Sequence, residues 1–188
     1  MDLQDIKTPG LSCDLHDNPD IKERELALSH KILMSVEKPA RYIGGESGSV
    51  IKDKEKVSVR FAFCFPDSYD IGMSHLGMKI LYSLTNQREA YWCERVFAPG
   101  IDFEEIMRRE NIPLYALESL DPVKDFDFIG FTMQYELSYT NVLNMLDLAG
   151  LPVFAKDRGD ELFNIVVAGG PCAVSYTHLR AHETSLHL

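Results

Sequence analysis

The chain has 188 residues, 45% of them hydrophobic and 26% charged, with a formal net charge of −10. That length suits one ordinary domain plus an extension, and the composition is that of a globular protein. The acidic balance excludes binding to nucleic acid or an anionic membrane through bulk electrostatics, and no apolar run approaches the ~18 residues of a membrane helix. The opening MDLQDIKTPG has neither the basic start nor the apolar core of a secretory signal. Cys13, Cys64, Cys93 and Cys172 lie far apart, so neither a metal knuckle nor a disulfide framework is expected, and a reducing cytoplasm fits best.

Residues 1–45 read as a leader followed by a helix. Residues 1–22 are polar and turn-rich, residues 23–36 carry Leu26, Leu28, Ile32, Leu33 and Val36 at irregular helical spacing, and Pro39 and Gly44-Gly45 end the pattern. Residues 46–173 form the domain proper. Its first strand is 57–65 (VSVRFAFCF), closed by Pro66-Asp67. Leu76, Ile80, Leu81 and Leu84 then predict a helix, with His75 beside the Leu76/Ile80/Leu84 stripe and so partly exposed. Residues 91–97 read as a second strand. Asp102 is placed as the N-cap of a helix whose apolar face is Phe103, Ile106 and Met107, stopped by Asn111 and Pro113. Residues 113–117 are read as a short edge strand, and Glu118, Asp121, Asp125 and Asp127 as a solvated loop.

The third strand, 127–133 (DFIGFTM), is almost wholly apolar, as expected of a parallel strand covered on both faces. Val142, Met145, Leu146 and Ala149 stand at i, i+3, i+4 and i+7, a helix ended by Gly150 and Pro152. A fourth strand, 165–168 (IVVA), runs into Gly169-Gly170-Pro171. This alternation predicts an α/β fold with a doubly wound, mainly parallel sheet of the Rossmann-like or flavodoxin-like kind, stopped after its fourth core strand.

In such sheets ligands bind beyond the carboxyl ends of the strands. The candidate cofactor-binding residues are therefore Asp67 and Ser68 after the first strand, His75 beyond them, Gln134, Tyr135, Glu136 and Ser138 after the third, and Gly169, Gly170 and Pro171 after the fourth. Each has a plainer role open to it. Asp67 and Ser68 can be turn formers, Ser138 or Thr140 an N-cap, and Gly-Gly-Pro an ordinary tight turn. No catalytic and no metal residues are assigned.

Residues 174–188 stand apart. Val174 to Thr184 (VSYTHLRAHET) resembles the in-frame translation of a transposon-end sequencing adapter of the kind found in metagenomic libraries. His178 and His182 there have a metal-like i, i+4 spacing but lack third and fourth ligands, so the tail is read as artefactual and given no function.

The segments VEKPARYIGGE, FCFPDSYDIGMSHLGMKILY, WCERVFAP, LESLDPVKDFDFIGFTMQYELSYTNVLNMLDLAG and AGGPCA together resemble the N-terminal region of a large bacterial family of uncharacterised radical-SAM proteins. The resemblance implies a front domain that is cobalamin-binding-like, with cobalamin as its candidate cofactor. It also implies a following barrel, absent here, that carries a [4Fe–4S] cluster and cleaves S-adenosylmethionine to a radical. That barrel would be the main partner of this domain, alongside a small-molecule cofactor. The fragment alone would not be catalytic. His75 departs from the cobalamin pattern: DxHxxG is not met by Asp70-Ile71-Gly72-Met73-Ser74-His75-Leu76-Gly77. The alternative is a scaffold or partner-docking module of the same fold that binds no cofactor.

Overall fold

A computed structural model describes residues 30–158 and 164–173. The leader up to residue 29 and the tail from residue 174 lie outside the described residues. In chain order the elements are α1 (His30–Leu33), β1 (Val59–Phe65), α2 (Tyr69–Ser74), α3 (Leu76–Asn86), β2 (Tyr91–Phe97), α4 (Ile101–Glu110), β3 (Phe128–Thr132), α5 (Tyr139–Leu148) and β4 (Ile165–Gly169). The four strands form one sheet in the order β2-β1-β3-β4, and every pairing is parallel. The fold is thus the expected α/β, doubly wound Rossmann-like or flavodoxin-like arrangement.

The step from β1 to β2 runs one way along the sheet, and the steps to β3 and β4 run the other way. Right-handed crossovers therefore place α2 and α3 on one face and α4 and α5 on the opposite face. The second layer is knit by Arg108, which reaches Asp147 at 2.8 Å and Asn144 at 2.6 Å from α4 to α5. Ala62, Cys64, Val96, Ile129, Phe131 and Val166 are buried beneath it.

Several boundaries differ from the sequence reading, each for a local reason. Gly100, not Asp102, caps α4: the first helical bond runs from Glu104 N–H to Gly100 C=O. The Asp102 carboxylate instead accepts from Glu37 N–H at 2.8 Å, tying the N-terminal extension to the helix. Of the helix expected over 23–36, the described part is a single turn, α1. On α3 the leucine stripe is exposed, and the side chains buried against the sheet are Met78 and Tyr82. A helix-spaced stripe locates a helix but does not say which face is covered.

The largest correction concerns residues 113–127. There is no ladder over 113–117, only an isolated bridge between Tyr115 and Pro122. Glu118 is buried, not solvated. Its carboxylate accepts from Arg95 backbone N–H at 2.7 Å and from Arg95 Nε at 2.6 Å, while Leu117 N–H donates to Arg95 C=O at 2.9 Å. On the other face of β2, the buried Glu94 accepts from Arg60 at 2.6 Å, and Arg60 also pairs with Asp121 at 2.8 Å. The rest of the β2 edge is covered too. Asn86 brackets Cys93, donating to its C=O at 2.9 Å and accepting from its N–H at 3.0 Å, and Lys52 Nζ donates to Tyr91 C=O at 2.5 Å. An edge strand that would otherwise present bare N–H and C=O groups is closed by its own chain.

Candidate functional site

β1 and β3 lie side by side at the centre of the sheet, and their connections leave in opposite directions. This is the switch point where a crevice forms beyond the carboxyl ends of the strands. Three loops meet there. After β1, Asp67 accepts from Ser68 N–H at 2.6 Å and its C=O accepts from Ala98 N–H beyond β2. After β3, the Tyr135 hydroxyl donates to the Asp67 carboxylate, so one hydrogen bond spans the crevice. A second strut comes from Asn141 in the first turn of α5, whose Nδ2 donates to Pro66 C=O at 2.9 Å.

The Gly-Gly-Pro corner closes the third side. Gly169 C=O accepts from Met133 N–H at 2.6 Å, and Cys172 N–H donates to Met133 C=O at 3.2 Å. Gly170 has φ +109°, and a Cβ there would stand 2.6 Å from the Met133 carbonyl oxygen. Here glycine is required twice over, by conformation and by space. At Gly169 a Cβ would meet nothing within 4 Å. Pro171 is exposed and opens a helical turn over 171–173.

The predicted residues therefore assemble, with distinct roles. Gln134 Nε2 donates to Thr132 Oγ1 at 2.6 Å, within its own loop. Glu136 is exposed, and among the described residues no hydrogen bond spends its carboxylate on the fold. Ser138 is buried and donates to Tyr135 C=O at 2.6 Å, and it makes no side-chain cap on α5. The hydrogen bond to Asp67 raises the Tyr135 phenol above its ordinary range, because the phenolate would face a carboxylate. Burial raises the Cys172 thiol, helped by the charge of Glu136. Sequence reasoning missed Asn141, and the signal was available: an Asn one turn into a helix that follows the central strand can reach the neighbouring strand's loop.

His75 behaves differently. It is the N-cap of α3, and its Nδ1 accepts from Met78 N–H at 3.1 Å, while its ring packs on Phe65 with centroids 5.2 Å apart. A neutral imidazole that accepts at Nδ1 carries its proton on Nε2. Such a ring has no lone pair left for a metal, so the residues present do not fit cobalamin bound through a histidine lower ligand.

The profile described as radical SAM proteins, N-terminal, matches residues 77–181, more than half of the chain. The chain belongs to this family. The match takes in α3 from Gly77 onward, β2, β3 with the loop after it, and the Gly-Gly-Pro corner, and runs on into the stretch after residue 173, while β1 and the Asp67 loop lie before it. A protein of Methanocaldococcus jannaschii, described only as uncharacterized, is 29% identical over 120 residues, or 63% of this chain and 21% of that protein. The chain thus spans about a fifth of the curated relative it matches. No solved structure matches it.

The family's name points to an iron–sulfur cluster and S-adenosylmethionine. The described residues do not fit the cluster. Among them, no group of three or more His, Cys, Asp or Glu side chains could hold a metal ion. Cys64, Cys93 and Cys172 are separately buried, and desolvation pushes the Cys64 and Cys93 thiols far up, against the thiolate form that iron needs. Nor is any described helix long and apolar enough to cross a membrane.

Proposed function

We propose that this chain is the front domain of a radical-SAM enzyme, and that it holds a nucleotide-like small molecule at its switch-point crevice, facing a barrel supplied by the rest of the parent protein. The observation that supports this most is the convergence of three loops on one crevice, with a glycine corner whose Gly169 is exposed and has open space where a Cβ would stand. Backbone exposed in this way can approach a phosphate or ribose closely. Asp67, Tyr135, Glu136 and Gly169 would contact the ligand, while Gln134, Ser138 and Asn141 hold the loops in shape. The cluster and S-adenosylmethionine would be bound by the barrel, in the cytoplasm, and redox chemistry would take place there. Cobalamin enters this reading only in a form that keeps its own lower base.

A second reading, a docking module that binds no cofactor, draws support from His75, which is spent as a helix cap, and from the hydrogen bond that closes the crevice. The two separate in solution. Backbone amide shifts of the chain are followed while hydroxocobalamin, S-adenosylmethionine and ATP are added in turn. Saturable shifts confined to Asp67, Tyr135, Ser138 and Gly170 with any one of them support the first reading. No shifts with all three overturn it in favour of the second.

A further inference from the structure

A parallel sheet needs cover on both faces. Residues in register across parallel strands share a face, so Phe61, Phe128 and Ile165 form one row, and Phe63, Gly130 and Val167 the next. α2 and α3 lie on that face, but over β1 and β2: Gly72 sits against Phe65 and Phe97, and Tyr82 stacks on the Arg95 guanidinium at 4.7 Å. Over β3 and β4 no described element covers this face. Ile165 is 45% exposed and Val167 38%, whereas Val166, pointing to the opposite face, is 5% exposed. Phe61 leans over Gly130, where a Cβ would stand 2.5 Å from its ring.

α3 forms one wall of this open strip. Met78 and Tyr82 point at the sheet, and Lys79, Ser83 and Asn86 border the cleft that also holds Arg95 on the β2 side. At about 100° per residue, Leu81 and Leu84 then fall on the flank turned toward β3, and both are more than half exposed. Floor and wall are mainly apolar, made by Phe61, Phe128, Ile165, Val167, Leu81 and Leu84, with Thr132 and Thr85 at their margins. Strands lie about 4.8 Å apart and a helix is about 10 Å across, so the strip over β3 and β4 is one helix wide.

We propose that this trough is the berth of an amphipathic helix belonging to the same polypeptide, from the length that the curated relative has beyond the part matched here. Three observations single out that occupant. The chain spans 21% of that relative, so ample polypeptide is at hand. The β2 edge is sealed by Asn86, Glu118 and Leu117, so further chain cannot extend the sheet on that side. The outer edge of β4 pairs with no described strand, and it borders the trough directly. The docked helix lies alongside α3 and presents apolar side chains at i, i+3, i+4 and i+7. This assignment is independent of what the crevice holds.

Single cysteines test it, placed in a Cys13→Ser background because Cys64, Cys93 and Cys172 are buried. Leu81→Cys and Leu84→Cys probe the wall, and Ile80→Cys, on the outward side of the same helix, is the control for reagent access, with circular dichroism of each variant showing that the fold is kept. Maleimide labelling is timed in the 188-residue chain and in the same protein extended to the full length of its relatives. All three positions are expected to label rapidly in the short chain. In the long one, Leu81→Cys and Leu84→Cys slow by at least about tenfold while Ile80→Cys stays fast. Equal rates at all three positions in the long protein overturn the proposal. Protection of Leu81→Cys in the short chain together with dimeric sedimentation also overturns it, because a second copy then fills the trough.

Discussion

The two edges of this sheet make a controlled comparison. On the β2 side every outward backbone group from Tyr91 to Arg95 meets a side chain or a neighbouring loop, and two buried carboxylates, Glu94 and Glu118, are each held by an arginine. On the β4 side the strand pairs, among the described residues, only inward, and large apolar residues stand in solvent. Both edges are rich in hydrophobic residues, so composition does not separate them. The difference is that one edge is completed by its own chain and the other is prepared for more protein.

The strongest way to break the comparison is to open the sealed edge. Arg95→Ala leaves Glu118 buried without its cation and should cost about 3–5 kcal/mol in a urea titration. A loss below about 1 kcal/mol would show that the edge is held by packing alone. The same variant carries a pH signature. Burial raises the Glu118 carboxyl, with Arg95 pulling it back down, and at Arg95 the lowering effect of burial is outweighed by the nearby Glu118 carboxylate, which raises it. Without Arg95 the carboxyl rises further, above the unfolded value of about 4.3. A raised folded value contributes stability that is present below the unfolded value and lost as pH rises through the folded one. The defect in Arg95→Ala should therefore be smaller near pH 4.5 than at pH 8, and Arg95→Ala combined with Glu118→Gln should lose that pH dependence.

Next in size is the corner that links both central loops. Gly170→Ala should cost about 1–3 kcal/mol, because it places a Cβ against the Met133 carbonyl at a left-handed φ. Gly169→Ala, with open space around it, should stay within about 0.5 kcal/mol. If both glycines tolerate alanine equally, the corner is not the rigid wall described above. The smallest effect is expected on the open side. Leu84→Lys should change the stability of this chain by no more than about 0.5 kcal/mol while improving its solubility. A large loss there would mean that Leu84 is already covered.

Much of the fold was legible because strands and helices leave local marks. VSVRFAFCF, DFIGFTM and IVVA are runs of β-branched, aromatic and aliphatic residues, and they became β1, β3 and β4 with ends within two residues of those expected. The stop of α5 at Gly150 was equally plain, since φ +70° suits glycine. The candidate residues around Asp67, Tyr135 and Gly170 follow from their place just beyond the carboxyl ends of the strands. What escaped was every interaction between segments remote in sequence. Glu118 and Arg95 are 23 residues apart, and the acidic run from Glu118 to Asp127 looks like any solvated loop until β2 is placed beside it. His75 reads in sequence as a candidate ligand or a partly exposed residue; it is partly exposed, and its ring nitrogen caps the helix it precedes, a role local sequence did not suggest.

The sequence by itself determined where the elements lie and that the strands run parallel, because periodicity, stop residues and right-handed crossovers act over short stretches of chain. Only the tertiary structure decided which face of α3 is covered, which carboxylates are buried, and which edge of the sheet is closed. Those depend on what packs against a residue from far along the chain, and a leucine facing the core looks no different in sequence from a leucine facing outward.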